Sequence, residues 1–500
     1  MMPLISNDCR HPERRDQLLM SLGLRSMFRC VRACRNPVRL TGCNRRLIHP
    51  FSPLFLHFME GSLHRIVIIG GGFAGIQAAR SLRGMPVHIT LVDRQDFNLF
   101  QPMIVQVATG IIGPTEITTP LRFIFRDQEN VRIRLDEVTG FDPGHRRVLL
   151  GGGSLPYDTL IVAAGSKTNY FGHKEWAELA PSLKTIADAV EVRRKIFSAL
   201  EQAESEPDEG TKGECLTVVV VGGGFTGIAL SSMIADISRK TLVREYSSIS
   251  HRGVKVLLLE AADRILPHSP AFFSRKARKA LDEAGVTIRE RSRVTAVDRT
   301  GLTVEHAGKN ERIPARTVLW AAGVSASDLG AALAAETGAE LDRQGRIIVH
   351  PDLSIPGRED IFVIGDLAHF SVQGGQPLAP LAAVASQQGR YVGTLIGSRL
   401  LGKGQGSPFR YRDRGVSSVI GRRKGIVRID SFSLNGFPAL IIWLCAHLRL
   451  LPPSQNRLII LTRWLNLSFH NSLGARQLTV EDVRRLSPDS TSGNASAIRP

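Results

Sequence analysis

The body of the chain contains almost no cysteine. Of its six cysteines, four lie at 9, 30, 34 and 43, and only Cys215 and Cys445 occur in all that follows. Two thiols cannot form a disulfide framework, and no CxxC or CxxH spacing of a zinc site occurs. The 14 histidines are scattered along the chain. We therefore predict no metal site and no disulfide-stabilised scaffold.

Long apolar runs are also missing. The strongest candidate, within 436–451, is apolar from Phe437 to Leu448 but already contains His447 and is followed by Arg449. A helix that spans a bilayer needs about 20 apolar residues. The sequence therefore predicts no transmembrane helix.

Acidic residues are scarce relative to basic ones. There are 46 Asp and Glu against 64 Lys and Arg, which gives a formal charge of +18. Such an excess favours an anionic partner, either nucleic acid or an acidic membrane surface. The basic triplet 422–424 has no nucleic-acid reader motif around it. We therefore predict no nucleic-acid partner and favour anionic lipid.

The first 61 residues resemble nothing that follows. They hold ten Arg, no Lys and four acids, without a sustained helix or strand pattern. Three interpretations stay open for this leader: a targeting peptide, an over-extended start with Met59 as the true first residue, or a functional arm. The final residues, 487–500, are polar and predicted to be disordered.

Strand-like and helix-like segments alternate through the rest of the chain, which predicts an α/β fold with doubly wound parallel sheets. One series spans 62–200 and a second spans 216–335. The polar stretch between them, 201–214, is expected to be a loop. The pattern resumes over 340–402, and 405–480 combines short strands with two apolar helices.

The first series opens with IVIIGGGFAGIQAAR (66–80), a strand-like run that ends in a glycine-rich turn. The turn fits G-x-G-x-x-G, in which the glycines allow a tight turn, close approach of a pyrophosphate, and packing of helix on strand. The next strand ends in an acid that suits ribose hydroxyls. The predicted dinucleotide-binding residues are Gly70, Gly72, Phe73, Ala74, Gly75 and Asp93.

The second series repeats this design in VVVVGGGFTGIALSS (218–232). Its next strand ends in Glu260, and an acid there favours NAD over NADP because it repels a 2′-phosphate. A duplicated unit that has lost its ligand is the alternative. Two sites in one chain imply two dinucleotides, and FAD with NADH is the useful pairing. The predicted NADH-binding residues are Gly222, Gly224, Thr226, Gly227 and Glu260.

Two strands that end in A-A-G follow the two dinucleotide units. Ala164 with Gly165, and Ala322 with Gly323, are small enough to let the backbone pass close to a bound cofactor. Farther on, Asp366 follows the strand IFVIG. Its carboxylate is expected either to bind the ribityl hydroxyls of a flavin or to cap a helix.

Taken in this order, the motifs resemble those of flavoproteins with two dinucleotide-binding domains. The segments 98–122, 157–172, 318–327, 380–393 and 409–415 are similar to type II NADH:quinone oxidoreductases. The resemblance covers about 63–478. It implies that an NAD-binding domain, 216–335, is inserted into an FAD-binding domain made of 62–200 and 340–402. It also implies hydride transfer from NADH to FAD, then electron transfer to a membrane quinone without proton pumping.

The resemblance also implies site residues. Gln387 and Gln388 are expected near the flavin and quinone as catalytic residues, and Gln387 is also expected to bind FAD together with Gln101 and Gln106 of the FAD-side loop. Ordinary helix polarity is the alternative for Gln387 and Gln388, and the absence of a role at the flavin is the alternative for Gln101 and Gln106. Relatives that reduce disulfides carry a cysteine pair beside the flavin, but 62–200 contains no cysteine. Electrons therefore need another acceptor.

The C-terminal apolar segments, 436–451 and 457–473, are expected to lie in the membrane interface, with Trp464 and the leucines in lipid and arginines at the headgroups. The alternative is a helical hairpin buried in a homodimer. The resemblance implies a peripheral protein on the cytoplasmic face of the bacterial inner membrane, or the mitochondrial inner membrane if the leader is a transit peptide.

Two positions depart from the family pattern, and one of them is Ala383, where many relatives have Gln or Pro. Where relatives carry a Glu proposed to relay protons, this chain has Ala229. This departure keeps two alternatives to a quinone reductase open. One is a flavin reductase or oxidase with a different acceptor, and the other is a non-catalytic redox sensor that binds FAD and NADH.

Overall fold

The computed structural model describes residues 63–247, 253–371, 375–404, 406–413, 415–429, 432–451, 454–470 and 478–484. The predicted leader, 1–61, and the predicted disordered tail, 487–500, lie outside these ranges. Within them, strands and helices alternate and the two largest sheets are mainly parallel. The predicted α/β fold class is confirmed.

The strands, in chain order, are β1 His64–Ile69, β2 Val87–Asp93, β3 Phe97–Leu99, β4 Thr118–Pro120, β5 Val131–Leu135, β6 Val138–Asp142, β7 Arg147–Leu150, β8 Gly153–Pro156, β9 Thr159–Val162, β10 Ser166–Thr168, β11 Thr217–Val221, β12 Lys255–Leu259, β13 Val286–Arg289, β14 Ser292–Asp298, β15 Gly301–His306, β16 Lys309–Pro314, β17 Thr317–Trp320, β18 Val324–Ala326, β19 Ile347–Ile348, β20 Ser354–Ile355, β21 Arg358–Val363, β22 Ala368–His369, β23 Val416–Ile420, β24 Lys424–Ile429 and β25 Phe432–Gly436. The helices are α1 Phe73–Ser81, α2 Ile104–Ala108, α3 Leu121–Ile124, α4 Trp176–Leu179, α5 Ile186–Ser205, α6 Glu209–Cys215, α7 Phe225–Lys240, α8 Ala271–Ala284, α9 Asp328–Thr337, α10 Ala382–Leu400, α11 Phe437–Leu450, α12 Ser454–His470 and α13 Val480–Arg484.

Six strands form the first large sheet, in the order β20-β21-β9-β1-β2-β5. All neighbours are parallel except β20 and β21. The central strand β1 is buried from Ile66 to Ile69 because a parallel sheet is covered on both faces. Strand β21 pairs with β9 although it lies far downstream in the sequence. The first sheet is therefore completed only when the chain returns to it.

The second large sheet has four parallel strands in the order β13-β12-β11-β17. Its strands all come from the part of the chain between β9 and β21. β11 reads TVVVV and is buried along its whole length. Both sheets therefore place a β-branched central strand directly before a glycine-rich turn and a helix, α1 in the first sheet and α7 in the second.

The expectation of a loop over 201–214 is wrong for most of that stretch. Helix α5 continues to Ser205, and α6 begins at Glu209. The carboxylate of Asp208 accepts a hydrogen bond from the backbone N–H of Thr211 at 2.7 Å and so caps α6. A cap of this kind lets a short helix form in a sequence that has no apolar periodicity.

The C-terminal region adds an antiparallel sheet, β23-β24-β25, followed by α11 and α12. Trp443 and Trp464 bring these helices together, with ring centroids 6.3 Å apart, inside the core shared with α2, α5 and α7. The expectation that Trp464 faces lipid is wrong, since it is 3% exposed. A large aromatic side chain gains most by burial against the protein core.

Among the described residues, no helix is both long and apolar enough to cross a membrane. Helix α11 is the most apolar of the C-terminal helices but has 14 residues. At 1.5 Å per residue it reaches about 21 Å, short of a hydrocarbon core of roughly 30 Å.

Candidate active site

A cleft of about 680 Å³ lies where the carboxyl ends of the two large sheets face a common space. Its walls come from the turn after β1, from the first residues of α7, from the residues after β9, β17 and β21, and from β23 and α11. Ligands of open α/β sheets bind at the carboxyl ends of the strands. This cleft is therefore the candidate active site.

In the first glycine-rich turn, two glycines are required by the packing of the protein itself and a third is not. Gly70 has φ +102°, and a Cβ there would lie 2.3 Å from the carbonyl oxygen of Ala163. A Cβ at Gly75 would lie 2.0 Å from the carbonyl oxygen of Gly70. A Cβ at Gly72, by contrast, would have no protein atom within 4 Å. The space beside Gly72 therefore fits a ligand group that approaches the backbone closely.

The second turn has the same arrangement. Gly222 has φ +108° and a Cβ there would lie 2.7 Å from the backbone of Ala321, while a Cβ at Gly227 would lie 1.8 Å from the carbonyl oxygen of Gly222. Gly224 again faces open space. The protein thus offers two equivalent cradles for a phosphate group, each at the N-terminus of a helix, where backbone N–H groups favour anions.

An acidic side chain at the end of the next strand accepts hydrogen bonds from the backbone of each turn. The Asp93 carboxylate accepts hydrogen bonds from the N–H groups of Gly71 at 2.6 Å and Gln95 at 2.8 Å. The Glu260 carboxylate accepts from Gly223 at 2.7 Å and Ala262 at 2.8 Å. An ionised carboxylate has about four lone-pair sites. Each acid therefore keeps the capacity to accept a further bond from a ribose hydroxyl.

Three polar side chains form a linked group on the cleft wall. The hydroxyl of Ser166 donates to Asp366 Oδ2 at 2.6 Å, and Lys184 Nζ donates to Ser166 Oγ at 2.9 Å. Lys184 Nζ also lies 3.6 Å from Asp366 Oδ2. The Asp366 side chain is thus fixed in position by Ser166 and Lys184 and presents a polar edge to the cleft.

The four glutamines have different environments. Gln101 lines the cleft, and its Nε2 donates to the carbonyl oxygen of Lys184 at 3.3 Å. Gln106 is fully buried, and its amide has no hydrogen-bond partner among the described residues. Gln387 exchanges two hydrogen bonds with the backbone of Arg412, and Gln388 accepts from the N–H of Gly365 at 2.7 Å. Neither Gln387 nor Gln388 is part of the cleft wall.

The remaining predicted residues divide between the cleft wall and its support. Those on the wall, besides Gln101, are Gly70, Gly72, Phe73, Ala74, Asp93, Ala164, Gly165, Thr226, Gly323 and Asp366. Those outside the wall, besides the three other glutamines, are Gly75, Gly222, Gly224, Gly227, Glu260 and Ala322. No group of three or more potential metal ligands occurs in the described parts of the chain.

Helix α11 closes one side of the cleft with Trp443 and His447. The Nδ1–H of His447 donates to the carbonyl oxygen of Trp443 at 2.7 Å. The imidazole stacks on the Trp443 ring at 4.2 Å between centroids and meets the edge of Phe100 at 6.0 Å. Burial lowers the pKa of His447 from its ordinary value, and the hydrogen bond to Trp443 offsets part of that effect.

Known proteins share both the sequence and the fold. The family model for pyridine nucleotide-disulphide oxidoreductases matches residues 64–389. The chain is 41% identical over 426 residues to the type II NADH:quinone oxidoreductase Ndh of Mycobacterium tuberculosis, which covers 84% of this chain and 90% of that protein. It is 38% identical over 414 residues to NdhA of the same organism, with 81% and 87% covered. The chain belongs to the type II NADH:quinone oxidoreductases.

A solved structure supports the same fold assignment. NDH2 from Plasmodium falciparum in complex with NADH superposes with a TM-score of 0.75 at 17% identity, covering 83% of this chain and 100% of that one. The resemblance drawn from the glycine, A-A-G and I-G-D motifs is therefore confirmed.

The departure from the type II NADH:quinone oxidoreductase pattern lies inside the site. Ala229 belongs to α7, lines the cleft and is 5% exposed. The side chain at this position therefore faces the ligand space, and here it brings no titratable group.

Sequence reasoning missed many residues of this wall, among them Lys184, Trp443 and His447. Lys184 directly precedes Thr185, the N-cap of α5, whose T-x-x-D capping box is a visible helix-start signal. In the sequence His447 only interrupts an apolar run. A lone polar residue in an otherwise apolar helix is the available signal that this part of α11 faces a site.

Proposed function

We propose that this chain passes electrons from NADH through bound FAD to a membrane quinone, without pumping protons. The observation that carries the proposal is that one cleft borders the first glycine-rich turn and the first residues of α7, the helix that follows the second turn, and is closed by a C-terminal helix. Family membership makes the chain an NADH-oxidising enzyme that reduces a quinone. Flavin chemistry supplies the link, since a flavin takes up a hydride and releases two electrons.

The first turn is the proposed FAD site. Its pyrophosphate would lie beside Gly72 at the N-terminus of α1, where the backbone is open and N–H groups point outward. Asp93 would accept a hydrogen bond from the adenosine ribose. The carboxylate of Asp366, fixed by Ser166 and Lys184, would bind the ribityl hydroxyls.

The second turn is the proposed NADH site. The pyrophosphate of the nucleotide would lie beside Gly224, and the α7 residues Phe225 and Thr226 lead from there into the cleft. Glu260 would accept a hydrogen bond from the 2′-hydroxyl and repel a 2′-phosphate. We therefore expect NADH to be strongly preferred over NADPH.

The electrons must leave through an external acceptor. In the described part of the chain the two cysteines are Cys215 and Cys445, and neither lines the cleft. Burial raises the pKa of the Cys215 thiol to about 11, so that thiol is unreactive. These facts support a diffusible acceptor, and a quinone would enter beside Trp443 and His447.

Anaerobic stopped-flow absorbance on the full chain loaded with FAD tests the proposal. NADH is expected to bleach the flavin rapidly and NADPH slowly, and a short-chain quinone added next is expected to restore the absorbance. Bleaching without recovery by quinone would favour a different acceptor. Absence of bleaching in a protein with stoichiometric FAD would favour a non-catalytic sensor.

We further propose that the chain attaches peripherally to the cytoplasmic face of the bacterial inner membrane. Helices α11 and α12 carry exposed apolar side chains: Phe437, Ile441, Ile442, Leu450, Leu458, Ile459, Leu461 and Leu465. Arg449, Arg457 and Arg463 lie on the same two helices. Such a combination favours insertion into the headgroup region of an anionic membrane.

Introducing charge on this surface should release the protein from membranes. A Leu458→Glu/Leu465→Glu variant is expected to reduce sedimentation with anionic vesicles at least about tenfold, since it removes two apolar contacts and adds two charges that anionic lipid repels. Flavin bleaching by NADH should not change. Leu458 and Leu465 are 63% and 49% exposed, and Leu135, on β5, is 57% exposed.

Leu135→Glu is therefore the matched control, because it makes the same chemical change at an equally exposed leucine outside the helices. Equal vesicle binding by all three proteins would argue against this attachment surface. If the double variant instead changed from dimer to monomer in light scattering, the helices would form a homodimer interface.

A further inference from the structure

His447 is the only histidine among the described residues that line the cleft. Its Nδ1 is committed to the carbonyl oxygen of Trp443, which can only accept a hydrogen bond, so Nδ1 carries the proton. Its Nε2 has no hydrogen-bond partner within the described part of the chain. Trp443 and Phe100 fix the plane of the ring. The imidazole therefore presents one free, titratable nitrogen in a defined orientation.

The other titratable groups on the cleft wall are less suited to proton transfer. Both carboxylate oxygens of Asp93 accept backbone N–H bonds. Asp366 and Lys184 are linked through Ser166. A guanidinium such as that of Arg94 does not release its proton in a protein.

Two further wall positions complete this comparison. Tyr411 packs against the hydrophobic core of the first sheet, and a phenol keeps its proton near neutral pH. Position 229, where relatives carry an acid, is alanine in this chain. Of all these groups, an imidazole has the ordinary pKa closest to neutrality.

Quinone reduction creates a demand for one proton. A hydride from NADH brings two electrons and one hydrogen nucleus, whereas a quinol has gained two electrons and two protons. One proton must therefore come from water. We propose that His447 delivers it: the N–H bond at Nε2 breaks, an O–H bond forms on the reduced quinone, and water at the cleft mouth returns a proton to Nε2. This inference rests on the function proposed above.

Two properties of the site favour this step. Burial lowers the pKa of His447, so a smaller fraction of the side chain is protonated near neutral pH, but the imidazolium that forms is a stronger acid than that of a free histidine and gives up its proton more readily. The half-buried side chain stays in contact with the cleft, where water can reach it. His447 thereby takes the place of the acid that relatives carry at position 229.

The test separates the two halves of the reaction in a His447→Ala variant of the full chain loaded with FAD. Bleaching by NADH, and reoxidation by ferricyanide, which takes electrons without protons, should stay within about twofold of the wild type. Reoxidation by a saturating short-chain quinone should slow about 100-fold, the usual contribution of a positioned general acid. Added imidazole should restore part of this rate, and pyrazole, which is far less basic, should not.

Two further measurements keep the result interpretable. The dissociation constant for quinone, from quenching of tryptophan fluorescence, should change far less in the variant than the rate of reoxidation does. A His447→Asn variant keeps an N–H donor for the carbonyl of Trp443 but cannot relay a proton. It should therefore show the same slow reoxidation, and it replaces the alanine variant if that protein is unstable.

Normal quinone reoxidation in both variants would overturn the inference and leave the proposed function intact. A slow rate that imidazole does not restore, together with weakened quinone binding, would also overturn it, because His447 would then only shape the site. Failure of the wild type to react with quinone would instead overturn the proposed function itself.

Discussion

A Gly72→Val variant is expected to fold normally and to contain almost no FAD. The backbone at Gly72 has φ −80° and ψ −168°, an extended conformation that valine adopts readily. No protein atom lies within 4 Å of the new Cβ. Loss of glycine as the N-cap of α1 costs about 1 kcal/mol at most. The side chain would instead fill the space proposed for the FAD pyrophosphate.

The size of the effect follows from the bonds that are lost. Hydrogen bonds from backbone N–H groups to a charged phosphate contribute roughly 1.5–3 kcal/mol each. Losing two of them weakens binding about 100-fold or more. The ratio of flavin to protein absorbance in the purified variant measures occupancy, and its thermal unfolding in the absence of FAD measures the fold. Full flavin content in the variant would contradict the proposed position of the FAD pyrophosphate beside Gly72.

The same turn illustrates what a sequence motif can specify. The pattern predicts three glycines with three roles, and the structure separates them by what a Cβ would meet. Gly70 and Gly75 are required by backbone atoms of the protein, at 2.3 and 2.0 Å. Gly72 meets nothing and is explained only by a ligand. Local spacing is sufficient for Gly75, because its constraint comes from Gly70 in the same turn, whereas the constraint on Gly70 comes from Ala163, which is distant in sequence and is brought close by the pairing of β9 with β1.

The glutamines on α10 show where local spacing fails. The orientation of α10 is fixed by its contact with α1, where a Cβ at Gly389 would lie 2.0 Å from the carbonyl oxygen of Ala74. A Cβ at Gly393 would similarly lie 2.5 Å from the carbonyl oxygen of Ala78. This packing directs Gln388 to the N–H of Gly365 and Gln387 to the backbone of Arg412. Their roles at the flavin stay a prediction, because a sequence does not state which helix face meets a ligand.

The residues of α11 that line the cleft could not be predicted from the sequence for a different reason. Apolar helices with flanking arginines indicate a membrane-facing surface. However, some of their apolar side chains pack into the protein core while others are exposed. Trp443 and Trp464 pack into the core, while Leu458 and Leu465 are exposed. Which residues share the buried face depends on the helices α2, α5 and α7, which are about 200 or more positions away in sequence. Tertiary packing therefore decides that His447 reaches the cleft.

A Gly224→Val variant is expected to retain FAD and to lose its reaction with NADH. Gly224 has φ −75° and ψ −179°, and no protein atom lies within 4 Å of a Cβ there. The variant therefore makes the same chemical change as Gly72→Val, in an equivalent turn, without disturbing the first site. Stopped-flow bleaching at subsaturating NADH should slow at least about 100-fold, for the same loss of phosphate hydrogen bonds.

Each of the two variants is the control for the other, since both add an isopropyl group to the N-cap of the helix after a central strand. Chemical reduction by dithionite should still bleach the flavin of Gly224→Val, and quinone should still restore it, because the second turn takes no part in that half of the reaction. If Gly224→Val instead lost FAD, the two turns would not serve separate dinucleotides. If it reacted normally with NADH, the second turn would be a duplicated unit without a ligand, and the nucleotide would have to enter the cleft by another route.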